Sequence, residues 1–124
     1  MSAALQSAER VGRVLRGYRY FFVDEKELQS AIGLALTEAG VAFEREVRLS
    51  PGDVVDFLVE PGIAVEVKVA GAPAEIARQL SRYAASPRVA SLLLVSRKAR
   101  HAHRFPATLG GKPLGVVTLE ASAL

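Results

Sequence analysis

Asp56, Glu66 and Lys68 place two acids and a lysine within thirteen residues, a set able to bind a cation and activate water. They lie in Asp53–Lys68, two short β-branched runs around Glu60-Pro61-Gly62, a pattern that predicts a hairpin. Alternation along the second run sends Ile63, Val65, Val67 and Val69 to one face and Ala64, Glu66 and Lys68 to the other. In the first run Asp56 shares a face with Val54 and Leu58, while Val55 and Phe57 take the opposite one. Glu66 and Lys68 then stand roughly 7 Å apart and attract by about 2–2.5 kcal/mol at an effective dielectric of about 20. One lysine balances one carboxylate, and Asp56 leaves the group negative. If the register sets Asp56 near Glu66, a divalent cation completes it. Oxygen ligands without cysteine or a paired histidine favour Mg²⁺ or Mn²⁺ over Zn²⁺. Such a site suits phosphodiester hydrolysis, with a hydroxide-like nucleophile supplied at the metal. Lys68 orients the water or stabilises the charged transition state. The competing reading is a solvated strand face. Asp53 sits at the turn and reads as a backbone cap.

Periodicity predicts the helices and strands around these residues. Leu5, Ala8, Val11 and Leu15 predict a helix over 4–16, with Arg10, Arg13, Arg16 and Arg19 fanning over one side. Gly17–Phe22 mixes aromatic and basic residues, as a nucleic-acid contact or a connector packed on the core. Asp24 is an N-cap with Glu27 three residues on, and Val23 and Leu28 can form a hydrophobic staple. Leu28, Ile32, Ala35, Leu36 and Ala39 make the buried stripe, closed by Gly40. Glu27 borders that stripe, either as a cap residue or as an acid aimed at a neighbouring site. Residues 42–49 read as a half-solvated strand.

Pro73 opens a further helix that buries Ile76, Ala77, Leu80, Tyr83 and Ala84 and turns Arg78 and Arg82 outward. Val89–Ser96 is the apolar run of a strand covered on both faces. The basic run Arg97–Arg104 follows, then a turn-rich stretch and a last strand at Leu114–Leu119. The expected architecture is α/β (α+β): a mixed sheet flanked by helices, in αβββαβ order. Residues 1–23 form a helical, basic extension and 24–124 the core with its basic segment and final strand.

Composition sets outer bounds. At 124 residues the chain has the size of one domain, and half of it is hydrophobic. The absence of cysteine removes disulfides, thiolate catalysis and iron–sulfur clusters, and fits a cytoplasmic location. No apolar run reaches transmembrane length, and the N-terminus does not read as a signal peptide. A net charge of +3 permits a polyanionic partner.

Asp56-Phe57, a short hairpin and Glu66-Val67-Lys68 together resemble the PD-(D/E)XK nuclease superfamily, whose core is a restriction-endonuclease-like αβββαβ unit. Gln79-Leu80-Ser81-Arg82-Tyr83 is similar to the Gln-x-x-x-Tyr motif of its RecB-like branch. Glu27 falls where many members, archaeal Holliday-junction resolvases among them, carry an acid on the first core helix. The resemblance spans roughly Asp24 to Val95. It implies that Asp56 and Glu66 bind the metal, with the Val67 carbonyl as a further ligand. Lys68 would position the attacking water, and Gln79 and Tyr83 would contact Lys68 or the substrate phosphate. Glu27 would touch the metal through water or hold a second ion. Two departures stand out: Val55 replaces the proline of the superfamily's name, and the four cysteines of its iron–sulfur members are absent.

The expected function is therefore Mg²⁺- or Mn²⁺-dependent hydrolysis of DNA by a homodimer or a subunit of a larger complex, with no membrane partner. Arg78, Arg82, Arg97, Lys98, Arg100 and Arg104 are the expected DNA contacts. His101 and His103 read as part of that polyanion-facing edge or as a solvated loop. The alternative is a non-catalytic nucleic-acid-binding or structural module.

Overall fold

The computed structural model describes residues 2–122. Three helices flank a six-stranded mixed sheet. Helix α1 (Ala3–Arg16) is capped by the Ser2 hydroxyl, and α2 (Glu25–Glu38) by the Asp24 carboxylate. Strands β1 (Phe43–Ser50), β2 (Asp53–Val59) and β3 (Ile63–Lys68) form an antiparallel meander. Helix α3 (Pro73–Ala84) then crosses over, so that β4 (Ser91–Ser96) pairs parallel to β3. A 3₁₀ turn (Ala99–His103) leads to β5 (Thr108–Leu109) and β6 (Lys112–Thr118), and β6 lies parallel to β4. The sheet order is β1-β2-β3-β4-β6-β5. From α2 to β4 the order is αβββαβ, as the periodicities predict. The short β5 and the 3₁₀ turn carry no sequence periodicity and were not expected. Among the described residues no helix is long and apolar enough to cross a membrane.

The sheet separates two apolar layers. On one face Phe57, Val59, Val65, Val67, Leu93, Val95 and Val117 meet Leu15 of α1 and Leu28, Ile32 and Leu36 of α2. On the other, Val47, Val55, Leu58, Ala64, Leu92 and Leu94 meet Ile76, Leu80 and Tyr83 of α3. All six residues of β4 are buried, because helices cover both of its faces.

The layers correct one expectation. Val55 packs under α3 and Phe57 under α2, so two residues expected on one face lie on opposite faces. Strand β1 switches likewise: Phe43 joins the α2 layer, and Val47 and Leu49 the α3 layer. The switch falls at Glu46 and Asp56. Glu46 has φ +52°, and its pairing with Asp56 is missing between Arg45↔Phe57 and Val47↔Val55. The β2–β3 ladder ends one step away, at Phe57↔Val65. A left-handed non-glycine residue costs about 1–2 kcal/mol, so the neighbouring packing must hold this kink. The kink opens the sheet where the Asp56 carboxyl lies.

The start of α2 brings a second correction. Val23 is 83 % exposed and forms no staple with Leu28. The segment is closed instead by polar capping: Glu27 N–H donates to Asp24 Oδ1 and Val23 N–H to Glu27 Oε1, each at 2.8 Å.

Candidate active site

Beyond Phe57↔Val65, side chains take over from the β2–β3 ladder. Val67 N–H donates to Asp56 Oδ2 at 2.8 Å, and Asp56 N–H to Glu66 Oε1 at 3.3 Å. The two acids therefore interlock where the strands part. Lys68 O accepts from Arg97 N–H on the β4 side. Alternation then turns the Val67 N–H and C=O toward β2, beyond the last ladder pair, Phe57↔Val65.

Glu66 is 3 % exposed. Its Oε2 lies 3.5 Å from Lys68 Nζ, and Tyr83 Oη reaches its Oε1 at 3.1 Å. The same hydroxyl lies 3.0 Å from Val54 O, so one proton serves two acceptors. Tyr83 is thus both a core aromatic and a site residue. Gln79 precedes it by one turn of α3, half-buried, with no side-chain hydrogen bond among the described residues.

Burial dominates the electrostatics. It pushes the Asp56 acid well above its usual range, with the Glu25 charge adding to the effect and the Val67 N–H, Lys68 and Arg45 opposing it. Burial also raises Glu66, reinforced by the charge of Asp56 and opposed by Lys68. The Tyr83 phenol is raised by burial and by Glu66. Both acids therefore ionise reluctantly, and a cation bound between them would favour their ionised forms.

Glu25 is the acid of α2 that faces this site, not Glu27. Its Oε1 accepts from Val69 N–H at 3.3 Å, just past the end of β3, and its charge reaches Asp56. Glu27 is occupied in the cap, which resolves its two readings in favour of the cap. The sequence held a signal for Glu25: it precedes Leu28 and Ile32 by three and seven residues and so extends the buried stripe one turn toward the sheet.

Asp53 closes its turn as expected, accepting from the Ser50 hydroxyl at 2.8 Å and pairing with Arg82 at 2.9 Å. Those contacts hold its acid below the usual carboxylate range. Arg82 is therefore engaged at the β2 turn, whereas Arg78 is exposed. Ser96, the last residue of β4, pairs with Lys68, so the run Arg97–Arg104 leaves the sheet beside the acids. Arg97, Arg100, His103 and Arg104 are exposed, and Lys98 is half-buried. His101 is buried and bonded through Nδ1 to the Ser96 hydroxyl at 2.7 Å, so it is neither solvated nor polyanion-facing. Its apolar surroundings and the cations nearby lower its pKa.

The described residues hold no group of three or more His, Cys, Asp or Glu side chains able to grip an ion. The site offers two carboxylates and the Val67 carbonyl. Mg²⁺ commonly takes one or two carboxylates and completes its shell with water and phosphate oxygens, so these donors fit it. No family model matches the chain, and no curated protein or solved structure matches it.

Proposed function

We propose that this protein is a Mg²⁺- or Mn²⁺-dependent deoxyribonuclease with a PD-(D/E)XK-like core. One observation carries the reading: Asp56 and Glu66 interlock at the end of the β2–β3 ladder beside Lys68, with Glu66 buried and Asp56 half-buried.

Asp56 and Glu66 would hold the ion, with the Val67 carbonyl beside them and Glu25 at the rim. A bound ion supplies a hydroxide-like nucleophile at neutral pH and neutralises charge developing on phosphate. The Val67 N–H orients Asp56, and Tyr83 orients Glu66. Lys68, with a side chain 21 % exposed, is free to meet the water or a phosphate oxygen. Arg97, Lys98, Arg100 and Arg104 would take the flanking phosphates, and each phosphate they neutralise adds to the salt dependence of binding.

The test is cleavage of supercoiled plasmid and of single-stranded DNA with Mg²⁺ or Mn²⁺. The wild-type chain should cut only with metal, and Asp56→Asn should not cut. Intact DNA binding without metal-dependent cleavage at high protein concentration would refute the enzyme reading and leave a binding module.

A further inference from the structure

The aromatic and basic connector between α1 and α2 divides residue by residue. Burial alternates along it as in a strand: Tyr20 and Phe22 are buried, while Arg19, Phe21 and Val23 are exposed. Tyr20 and Phe22 pack in the core, so half of the connector serves the fold. Phe21 is left 51 % exposed, beside a groove of about 260 Å³ lined by Phe22, Val23, Glu27 and Ser122. Residues 1–23 hold Arg10, Arg13, Arg16 and Arg19 against one acid, Glu9, and their excess of +3 equals the net charge of the whole chain. All four arginines are exposed, and none is in an ion pair among the described residues.

Packing sets where this segment lies. A Cβ on Gly115 would stand 4.0 Å from the Ala8 Cβ, and one on Gly12 would stand 3.6 Å from the Val117 Cβ. Helix α1 therefore runs in the direction of β6, and its last turn, with Arg13 and Arg16, emerges at the carboxyl end of that strand. At this end Ser96 pairs with Lys68 on one side and with Thr118 on the other, which sets β6 about 10 Å from the strand of Glu66 and Lys68. The connector crosses that distance. Tyr20 bridges Ala121, three residues past β6, and Glu25 accepts from Val69 N–H, one residue past β3. Phe21 and Val23 thus lie along the chain between the arginines of α1 and the paired acids. Asp24, Glu25 and Glu27, which follow, each accept from a backbone N–H, that of Glu27, Val69 and Val23 in turn.

We propose that Arg16, Arg19 and Phe21 form a subsite for single-stranded DNA, in which one unpaired base stacks on the Phe21 ring and the two arginines take neighbouring phosphates. The occupant follows from the chemistry. A base in a duplex is stacked on both faces and offers only its edges, whereas an unpaired base has a face free to lie on an aromatic ring. Exposed rings beside cations hold single strands in this way, the ring taking the base and the cations the backbone. Alternation puts Arg19 and Phe21 on one side of the connector, about 7 Å apart. The unmatched charge of the first 23 residues supplies the attraction for phosphate. The subsite rests on the proposed nuclease reading for its purpose, delivery of a single strand to Asp56 and Glu66, whereas binding itself needs no cleavage.

The chain has no tryptophan, so Phe21→Trp introduces a single fluorophore at the stacking position. In EDTA, where no metal-dependent cleavage intervenes, its fluorescence should be quenched by a single-stranded DNA oligonucleotide and not by a duplex of the same sequence. Fluorescence anisotropy should show Phe21→Ala and Phe21→Leu weakening single-strand binding about tenfold with unchanged circular dichroism, while Phe21→Tyr keeps it. If Phe21→Ala does not fold, Phe21→Leu carries the test. Arg16→Ala and Arg19→Ala should each reduce the slope of log binding constant against log salt by about 0.7. Single strands that do not bind, or that bind wild type and Phe21→Leu equally, overturn the proposal. A duplex bound as tightly overturns the substrate class, and RNA bound more tightly overturns the choice of DNA. Binding that depends on Phe21 without metal-dependent cleavage refutes the nuclease reading alone. Cleavage of single strands with no dependence on Phe21 refutes the subsite alone.

Discussion

Replacing Glu66 by glutamine should stabilise the metal-free protein at pH 8 while abolishing cleavage. Glu66 is nearly inaccessible, and burial, then Asp56, raise its acid from an ordinary 4.5 to about 7. Keeping it ionised in the folded state costs about 3 kcal/mol relative to the unfolded chain. The folded value lies above the unfolded one, so the folded chain holds this proton longer. The resulting stabilisation is complete below about pH 4.5 and is lost as pH rises through about 7. Glutamine keeps the volume and an oxygen to accept from Tyr83 and from Asp56 N–H, without the charge. It forfeits the attraction of Lys68 at 3.5 Å, so the expected net gain is smaller, about 1–2 kcal/mol at pH 8. Urea unfolding in EDTA reads this as a higher midpoint for Glu66→Gln at pH 8, by roughly half a molar or more at unchanged slope. Near pH 4.5, where wild-type Glu66 is protonated, the midpoints should converge. A variant less stable than wild type at pH 8, or one equally stabilised at both pH values, would refute the reasoning. Saturating Mn²⁺ should raise the wild-type midpoint at pH 8 and leave the variant's nearly unmoved.

Glu25→Gln should weaken Mn²⁺ binding in calorimetry, whereas Glu27→Ala should spare metal affinity and cost about 1 kcal/mol of stability by removing the acceptor of Val23 N–H. Tyr83→Phe leaves Val54 O and Glu66 without their hydroxyl donor, and should lower unfolding free energy by about 1–2 kcal/mol in urea titration. Cleavage should rise with pH between about 6 and 7 as Asp56 and Glu66 ionise, and Lys68→Ala should shift what activity remains to higher pH, since Lys68 favours both ionised acids. Replacing Arg97 and Arg100 by alanine should reduce the slope of log binding constant against log salt by about 1 for each phosphate no longer neutralised, measured by fluorescence anisotropy on a DNA oligonucleotide.

Local spacing along the chain dictates the elements from α2 to β4 and their order. Leu28, Ile32 and Leu36 at helical spacing, Asp24 as cap, Gly40 at φ +74°, Pro73 at the first turn of α3 and the apolar run of β4 each answer to local physics, and each holds in the structure. It also singled out Asp56, Glu66, Lys68 and Tyr83, and these four converge. How they meet depends on contacts between distant segments. Strict alternation across β2 assumes an unbroken pleat, and the kink at Glu46 breaks it, which moves Val55 to the other layer and opens the gap that Asp56 enters. No residue type marks that kink, since glutamate rarely adopts a positive φ. The choice between Glu25 and Glu27 likewise needed packing: both fit a helix start, but only the seating of α2 on the sheet turns one toward Val69 and leaves the other in its cap. Burial of His101 depends on the path of a turn with no periodicity. Local spacing sets what each segment becomes; contacts between distant segments set which charges lose their water, and that loss of water gives the candidate site its chemistry.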